Sequence, residues 1–189
     1  MVAPDTENAP DYSSTDFLKL SGPKGTWNTK FGGQDVAGKG VVVGVIDTGY
    51  TPSSPFFAGQ EVKAPTGSPV VGVPYRDTDG KIKMLKADGE TFTGECQAGT
   101  DFDGTACNSK VLSARYFGDD FANTVPQKDW APDERLSPVD VASHGTHTAS
   151  TAAGNANVEA KVDGRSFGQT SGIAPAAKLS IYKVCWEDN

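Results

Sequence analysis

An α/β fold built on a mainly parallel sheet is what this chain predicts, and three observations predict it. The compact apolar run Val41-Val42-Val43-Gly44-Val45-Ile46 shows no polar alternation, the pattern of a central parallel strand buried on both faces. Residues 110–117 and 178–184 alternate well enough to be further strands. Between those two segments, residues 144–153 are rich in small side chains and predict a tightly packed helix. Strands and a helix in this order favour an α/β sheet, whose sites form beyond the carboxyl ends of the strands.

Taken in chain order, residues 1–15 are rich in Asp, Pro and Ser and predict a flexible N-terminal segment. That start lacks the basic and apolar regions of a secretory signal, so export cannot be read from it directly. The folded part is expected over 16–189. Gly38-Lys39-Gly40 leads into the first strand, and Asp47 falls at that strand's carboxyl end. From about 50 to 138 regular periodicity fails, and the length of this stretch signals small elements within it. Inside it, Asp79-Gly80 predicts a hairpin turn within residues 76–84. Ser143 offers an N-cap for the helix and Gly154 a stop, while Gly145 permits close approach of another backbone.

Composition narrows the function classes. A chain of 189 residues can bury roughly 70% of its unfolded surface, enough for a real core. No apolar run approaches the ~20 residues needed to cross a bilayer. Seventeen basic against 24 acidic side chains give a net charge of −7, which argues against nucleic acid and anionic membrane as partners. Of the three cysteines, Cys96 and Cys107 share a loop-like segment of Gly, Asp and Thr, and their spacing can close a small covalent loop in an oxidising compartment. Two unrelated thiols remain the alternative. Cys185 is left over, as a buried thiol or one whose partner lies elsewhere.

The chemistry concentrates in two short blocks, Val43-Gly44-Val45-Ile46-Asp47-Thr48-Gly49 and Ser143-His144-Gly145-Thr146-His147-Thr148-Ala149-Ser150. Alone, Asp47 would be a cap or turn former and His144 a tolerated polar residue. His144 and His147 also sit three apart, on neighbouring positions of one helix face, as metal ligands can. Gly145 and Thr146 between them supply no His-Glu-x-x-His base, so a metal centre is not expected. Jointly, the blocks fit another requirement. A Ser hydroxyl is a poor nucleophile near neutral pH, so acyl transfer needs an imidazole to take its proton and a carboxylate to hold that imidazole in the right tautomer.

The chain resembles the subtilases, the subtilisin-like serine proteases. The resemblance rests on Val45-Ile46-Asp47-Thr48-Gly49 and His144-Gly145-Thr146-His147-Thr148-Ala149. More narrowly it is similar to the cucumisin-like branch, through Asp16-Phe17-Leu18, residues 107–117, Ser137-Pro138, Gly172-Ile173-Ala174-Pro175 and Ile181-Tyr182-Lys183-Val184-Cys185-Trp186. The resemblance implies a subtilisin-like mainly parallel sheet flanked by helices, with residues 50–138 as a long insert between the Asp and His motifs. It implies Asp47 as triad carboxylate, His144 as general base, a structural His147 and a Cys96–Cys107 disulfide. It further implies a secreted endopeptidase that acts on peptide or protein substrates through an acyl-enzyme, with its own propeptide as a further partner.

The family's Ser lies in a Gly-Thr-Ser-Met-Ala context, which does not occur in these 189 residues, and its oxyanion Asn is not matched either. Ser171 lacks the flanking residues, and Asn155 and Asn157 follow the helix too closely to serve. The chain is therefore expected to be the N-terminal part of such a catalytic domain, ending before the nucleophile segment and inactive alone. No cofactor is expected. Asp101 with Asp103 and Asp119 with Asp120 could bind calcium, but no twelve-residue loop pattern supports it. Two other readings stay open: a non-catalytic fragment or binding module on this scaffold, or a dimeric aspartic protease using Asp47-Thr48-Gly49.

Overall fold

The computed structural model describes residues 14–188, so the flexible segment expected over 1–15 lies almost wholly outside the described residues. Two short helices, α1 (Ser14–Phe17) and α2 (Thr26–Phe31), precede strand β1 (Val42–Asp47). The next strands are β2 (Pro74–Arg76), β3 (Ile82–Leu85), β4 (Thr91–Gly94) and β5 (Val111–Tyr116). Helices α3 (Asp119–Thr124) and α4 (His144–Ala153) follow, then the hairpin of β6 (Val158–Val162) and β7 (Arg165–Thr170), and last β8 (Lys178–Lys183).

The principal sheet has the order β1-β8-β5 with every pairing parallel, giving the α/β architecture expected. Its centre is β8, where Leu179 and Ile181 are wholly buried. That placement corrects one expectation. β1 lies at an edge of the described sheet, and only one of its faces is covered: Val45 is buried whereas Ile46 is 71% exposed. The apolar run marks a strand correctly, but β8 takes the position between β1 and β5.

Helix α4 covers one face by packing on β1 and β8. Gly145, Ala149 and Ala153, four residues apart, form its buried stripe, and residues this small bring the helix axis close to the sheet. Tyr50, Phe57, Met84, Val111, Leu112 and Ala114 complete the core beside them. Each large apolar side chain so buried contributes about 1.5–3 kcal/mol.

The stretch without periodicity contains several short regular elements. β2, β3 and β4 form an antiparallel sheet, with Arg76 opposite Ile82 across the turn at Asp79-Gly80. A second hairpin turns at Asp88-Gly89, and a third at Asp163-Gly164, where both residues have positive φ. Cys96 and Cys107 are bonded through sulfur, and Cys96 bridges in parallel to Ala114, adding a short segment outside β5. Cys185 is exposed, not buried.

Candidate active site

Asp47 is placed by the backbone on both sides. Its carbonyl accepts from the amides of Val184 and Cys185 at 2.9 and 3.2 Å, which ties the end of β1 to the end of β8. Its carboxylate is turned toward α4. Oδ1 accepts from the Thr48 amide at 2.7 Å, and Oδ2 accepts from the Thr148 hydroxyl at 3.0 Å.

His144 Nδ1 lies 2.8 Å from Asp47 Oδ1 and 3.0 Å from Oδ2. An ionised carboxylate only accepts, so Nδ1 carries the hydrogen in this bond. The Asp47 side chain is 14% exposed and the His144 side chain 68% exposed, which leaves the imidazole open at its other side. Partial burial raises the Asp47 pKa, but the bonds from His144, Thr48 and Thr148 outweigh it and hold the carboxyl below its ordinary value. The carboxylate therefore stays charged beside the ring.

Close approach of the two elements depends on glycine. A Cβ on Gly145 would stand 2.3 Å from the Gly49 carbonyl oxygen, so no larger residue fits between the loop after β1 and the first turn of α4. Gly49 itself has φ +110, and a Cβ there would meet the Pro138 carbonyl at 2.4 Å. The expectation of close backbone approach at Gly145 describes this contact.

The helix start is capped in a different way from that expected. Ser143 has φ 67 and makes no side-chain cap. Instead the Gly145 amide donates to Thr48 Oγ1 at 2.8 Å, and the Thr146 amide donates to Asp140 Oδ2 at 2.7 Å. Gly154 does end the helix, but with extended backbone; a Cβ there would collide with Ser150 O and Phe56. Thr48, Asp140 and Thr148 are the site residues that sequence reasoning missed. The only signal for Asp140 was an acidic residue shortly before a helix start.

The residues set aside earlier are occupied elsewhere. Ser171 Oγ donates to the Gly172 carbonyl, and Asn155 Nδ2 donates to the carbonyls of Pro55 and Ala58. Ser171 lines a cavity of about 240 Å³ with His147, Ser150 and Thr151. Asn157 sits in a bend before β6 at φ 56. Asp101 pairs with Arg135, and Asp103 accepts from the Thr105 amide and hydroxyl. Among the described residues no group of three or more His, Cys, Asp or Glu side chains is gathered as metal ligands. None of the described helices is long and apolar enough to cross a membrane. The two-carboxylate reading of Asp47-Thr48-Gly49 gains no support from a site whose carboxylate is bonded to His144 and Thr148.

With this geometry in view, likeness to known proteins is informative. A model described as the Subtilase family matches residues 38–189. Subtilisin-like protease SBT2.2 of Arabidopsis thaliana is 38% identical over 166 residues, covering 87% of this chain and 17% of that protein. Subtilisin-like protease SBT2.3 of the same plant is 36% identical over 166 residues, with 87% and 17% covered. Subtilisin-like protease SBT1.2 is 33% identical over 188 residues, covering 98% of this chain and 21% of its own length. The chain thus spans about a fifth of the length of these curated relatives.

Proposed function

Since the chain belongs to the subtilase family, we propose that it supplies the acid and base of a serine endopeptidase, with Asp47 orienting His144 and His144 acting as general base. The observation that carries this reading is the 2.8 Å contact from His144 Nδ1 to a charged, hydrogen-bonded Asp47 carboxylate. With Nδ1 bearing the proton, Nε2 is left as the nitrogen that accepts one. The carboxylate stabilises the imidazolium that results, which is the requirement for activating a Ser hydroxyl against a peptide carbonyl.

On this reading the Ser and the oxyanion donor come from sequence outside these 189 residues. The 189 residues alone hydrolyse peptides negligibly, because proton transfer without a nucleophile or oxyanion donor leaves little of the rate enhancement. Peptides or proteins are the substrate class, and a propeptide is the partner suggested by family membership. The Cys96–Cys107 bond supports action in an oxidising, extracellular setting.

The test uses a fluorophosphonate probe on a natural product that contains this chain together with a downstream Gly-Thr-Ser-Met-Ala segment. Labelling and peptide hydrolysis that both vanish in His144→Ala are expected. Unchanged hydrolysis in that variant would sink the assignment, whereas robust, His144-dependent hydrolysis by the purified 189-residue chain would overturn its inactivity alone.

A further inference from the structure

We propose that Asp140 is the positioning residue of the Asp47–His144 pair: a buried carboxylate that fixes the distance between the two elements carrying them without touching either side chain. The inference rests on the reading of that pair as acid and base, and goes beyond it by naming what holds the pair in register.

Asp140 is 8% exposed and is hydrogen-bonded through both oxygens. Oδ1 accepts from the Thr48 hydroxyl at 2.8 Å, from the Ala142 amide at 3.1 Å and from the Ser143 amide at 2.9 Å. Oδ2 accepts from the Thr146 amide at 2.7 Å and from the Thr146 hydroxyl at 2.5 Å. One carboxylate therefore grips the residue after Asp47 and the first turn of the helix that begins with His144. Thr48 completes a closed circuit, because the hydroxyl that donates to Asp140 also accepts from the Gly145 amide. Each half of the pair is thus one covalent step from a group bonded within this circuit.

The chemistry suits a rigid spacer. A charged acceptor at a helix N-terminus satisfies amides that have no partner in the helix and interacts favourably with its dipole. Charge-assisted bonds are shorter and stronger than neutral ones, so the circuit resists sliding of α4 along β1. Displacements near 1 Å are enough to degrade a proton-transfer geometry. The Asp140 carboxylate bonds to Thr48, Ala142, Ser143 and Thr146 and not to the side chains of Asp47 or His144, so its influence passes through Thr48, Gly145 and Thr146.

The chain contains two histidines, which makes the test direct. Both imidazoles are followed by ¹H–¹⁵N NMR at one fixed pH, where the ring-nitrogen shifts report the tautomer, in the intact chain and in Asp140→Asn. His147, on the same helix, is the internal control. In Asp140→Asn the fraction of His144 rings bearing hydrogen on Nδ1 falls about twofold or more, because the ring loses part of its bond to Asp47. The His147 ring signals do not move. Thr48→Val, which keeps shape and removes the linking hydroxyl, shifts His144 in the same direction by less.

An unchanged His144 tautomer in folded Asp140→Asn and folded Thr48→Val would overturn the proposal. Should Asp140→Asn fail to fold, Thr48→Val decides; failure of both would make Asp140 a determinant of folding and not of the pair. Asp47→Asn separates the underlying reading. If that variant leaves His144 unmoved, the acid–base assignment itself is wrong, whatever Asp140 does.

Discussion

Lys183 Nζ lies 2.5 Å from Glu134 Oε1, with the two side chains 0% and 1% exposed. The same ammonium donates to the Val139 carbonyl at 2.9 Å and sits 4.6 Å from the centre of the Trp186 ring. Glu134 Oε2 accepts from the Glu187 amide at 3.0 Å. The end of β8 is thereby fastened to the segment that leads through Asp140 to His144.

Removing one partner of such a pair leaves an uncompensated buried charge. Lys183→Met and Glu134→Leu are each expected to lower stability by about 3–5 kcal/mol, while the double variant recovers most of that loss. Urea denaturation of the four proteins in the cycle measures it. Additive losses in the double variant would mean that the two groups do not interact.

Acid stability follows from two carboxylates. Burial pushes Asp140 up, but the bonds from Thr146, Thr48 and Ser143 more than offset this, and Asp140, like Asp47, is held below its ordinary value. A group with a depressed folded pKa gives stability that is complete above its unfolded value and disappears as pH falls through the folded one. Unfolding free energy is therefore expected to fall below about pH 4, and Asp140→Asn to flatten that decline while lowering the plateau above it. A decline of the same size in wild type and variant, followed by denaturant unfolding from pH 6 to pH 2, would remove Asp140 from this account.

Gly145→Ala reverses a usual rule. Alanine inside a helix ordinarily gains about 1 kcal/mol over glycine, yet here its Cβ meets the Gly49 carbonyl at 2.3 Å. A net loss of about 2 kcal/mol or more is expected, because the loop after β1 must give way. Thermal unfolding checks the sign; any stabilisation would show that the helix and loop separate easily.

The Cys96–Cys107 bond closes a loop whose turn docks on the chain before Asp140. Thr100 donates its amide to the Leu136 carbonyl at 3.0 Å, and Arg135 pairs with Asp101 at 3.0 Å. Replacing both cysteines by Ser is expected to cost about 3 kcal/mol through the entropy of the unfolded chain. A reductant should bring the wild type down to the variant's stability and leave the variant unchanged. Equal stability of the oxidised wild type and the variant, measured by denaturant midpoint, would assign the bond no energetic role.

Much of this protein was legible in short local patterns. The bounds of α4 match residues 144–153, and β1, β5 and β8 fall within a residue or two of the segments read as strands. The Asp79-Gly80 turn is legible, and three further Asp-Gly pairs carry the same signal: those at 88–89 and 163–164 turn hairpins, whereas Asp103-Gly104 lies outside the paired strands. Asp47 and His144 stood out because their blocks encode a chemical need that residue type alone can announce.

Sequence by itself determined which segments are strands or helix and singled out Asp47 and His144 as the pair proposed for acid and base, since those follow from local periodicity and functional groups. The tertiary structure alone decided that β8 lies between β1 and β5, that β1 is exposed at Ile46, and that Thr48 and Asp140, not Ser143, cap the helix. The physical reason is range. Strand order and through-space capping depend on contacts between residues dozens of positions apart, such as Thr48 with Asp140, and no local pattern specifies which distant group will meet a given amide.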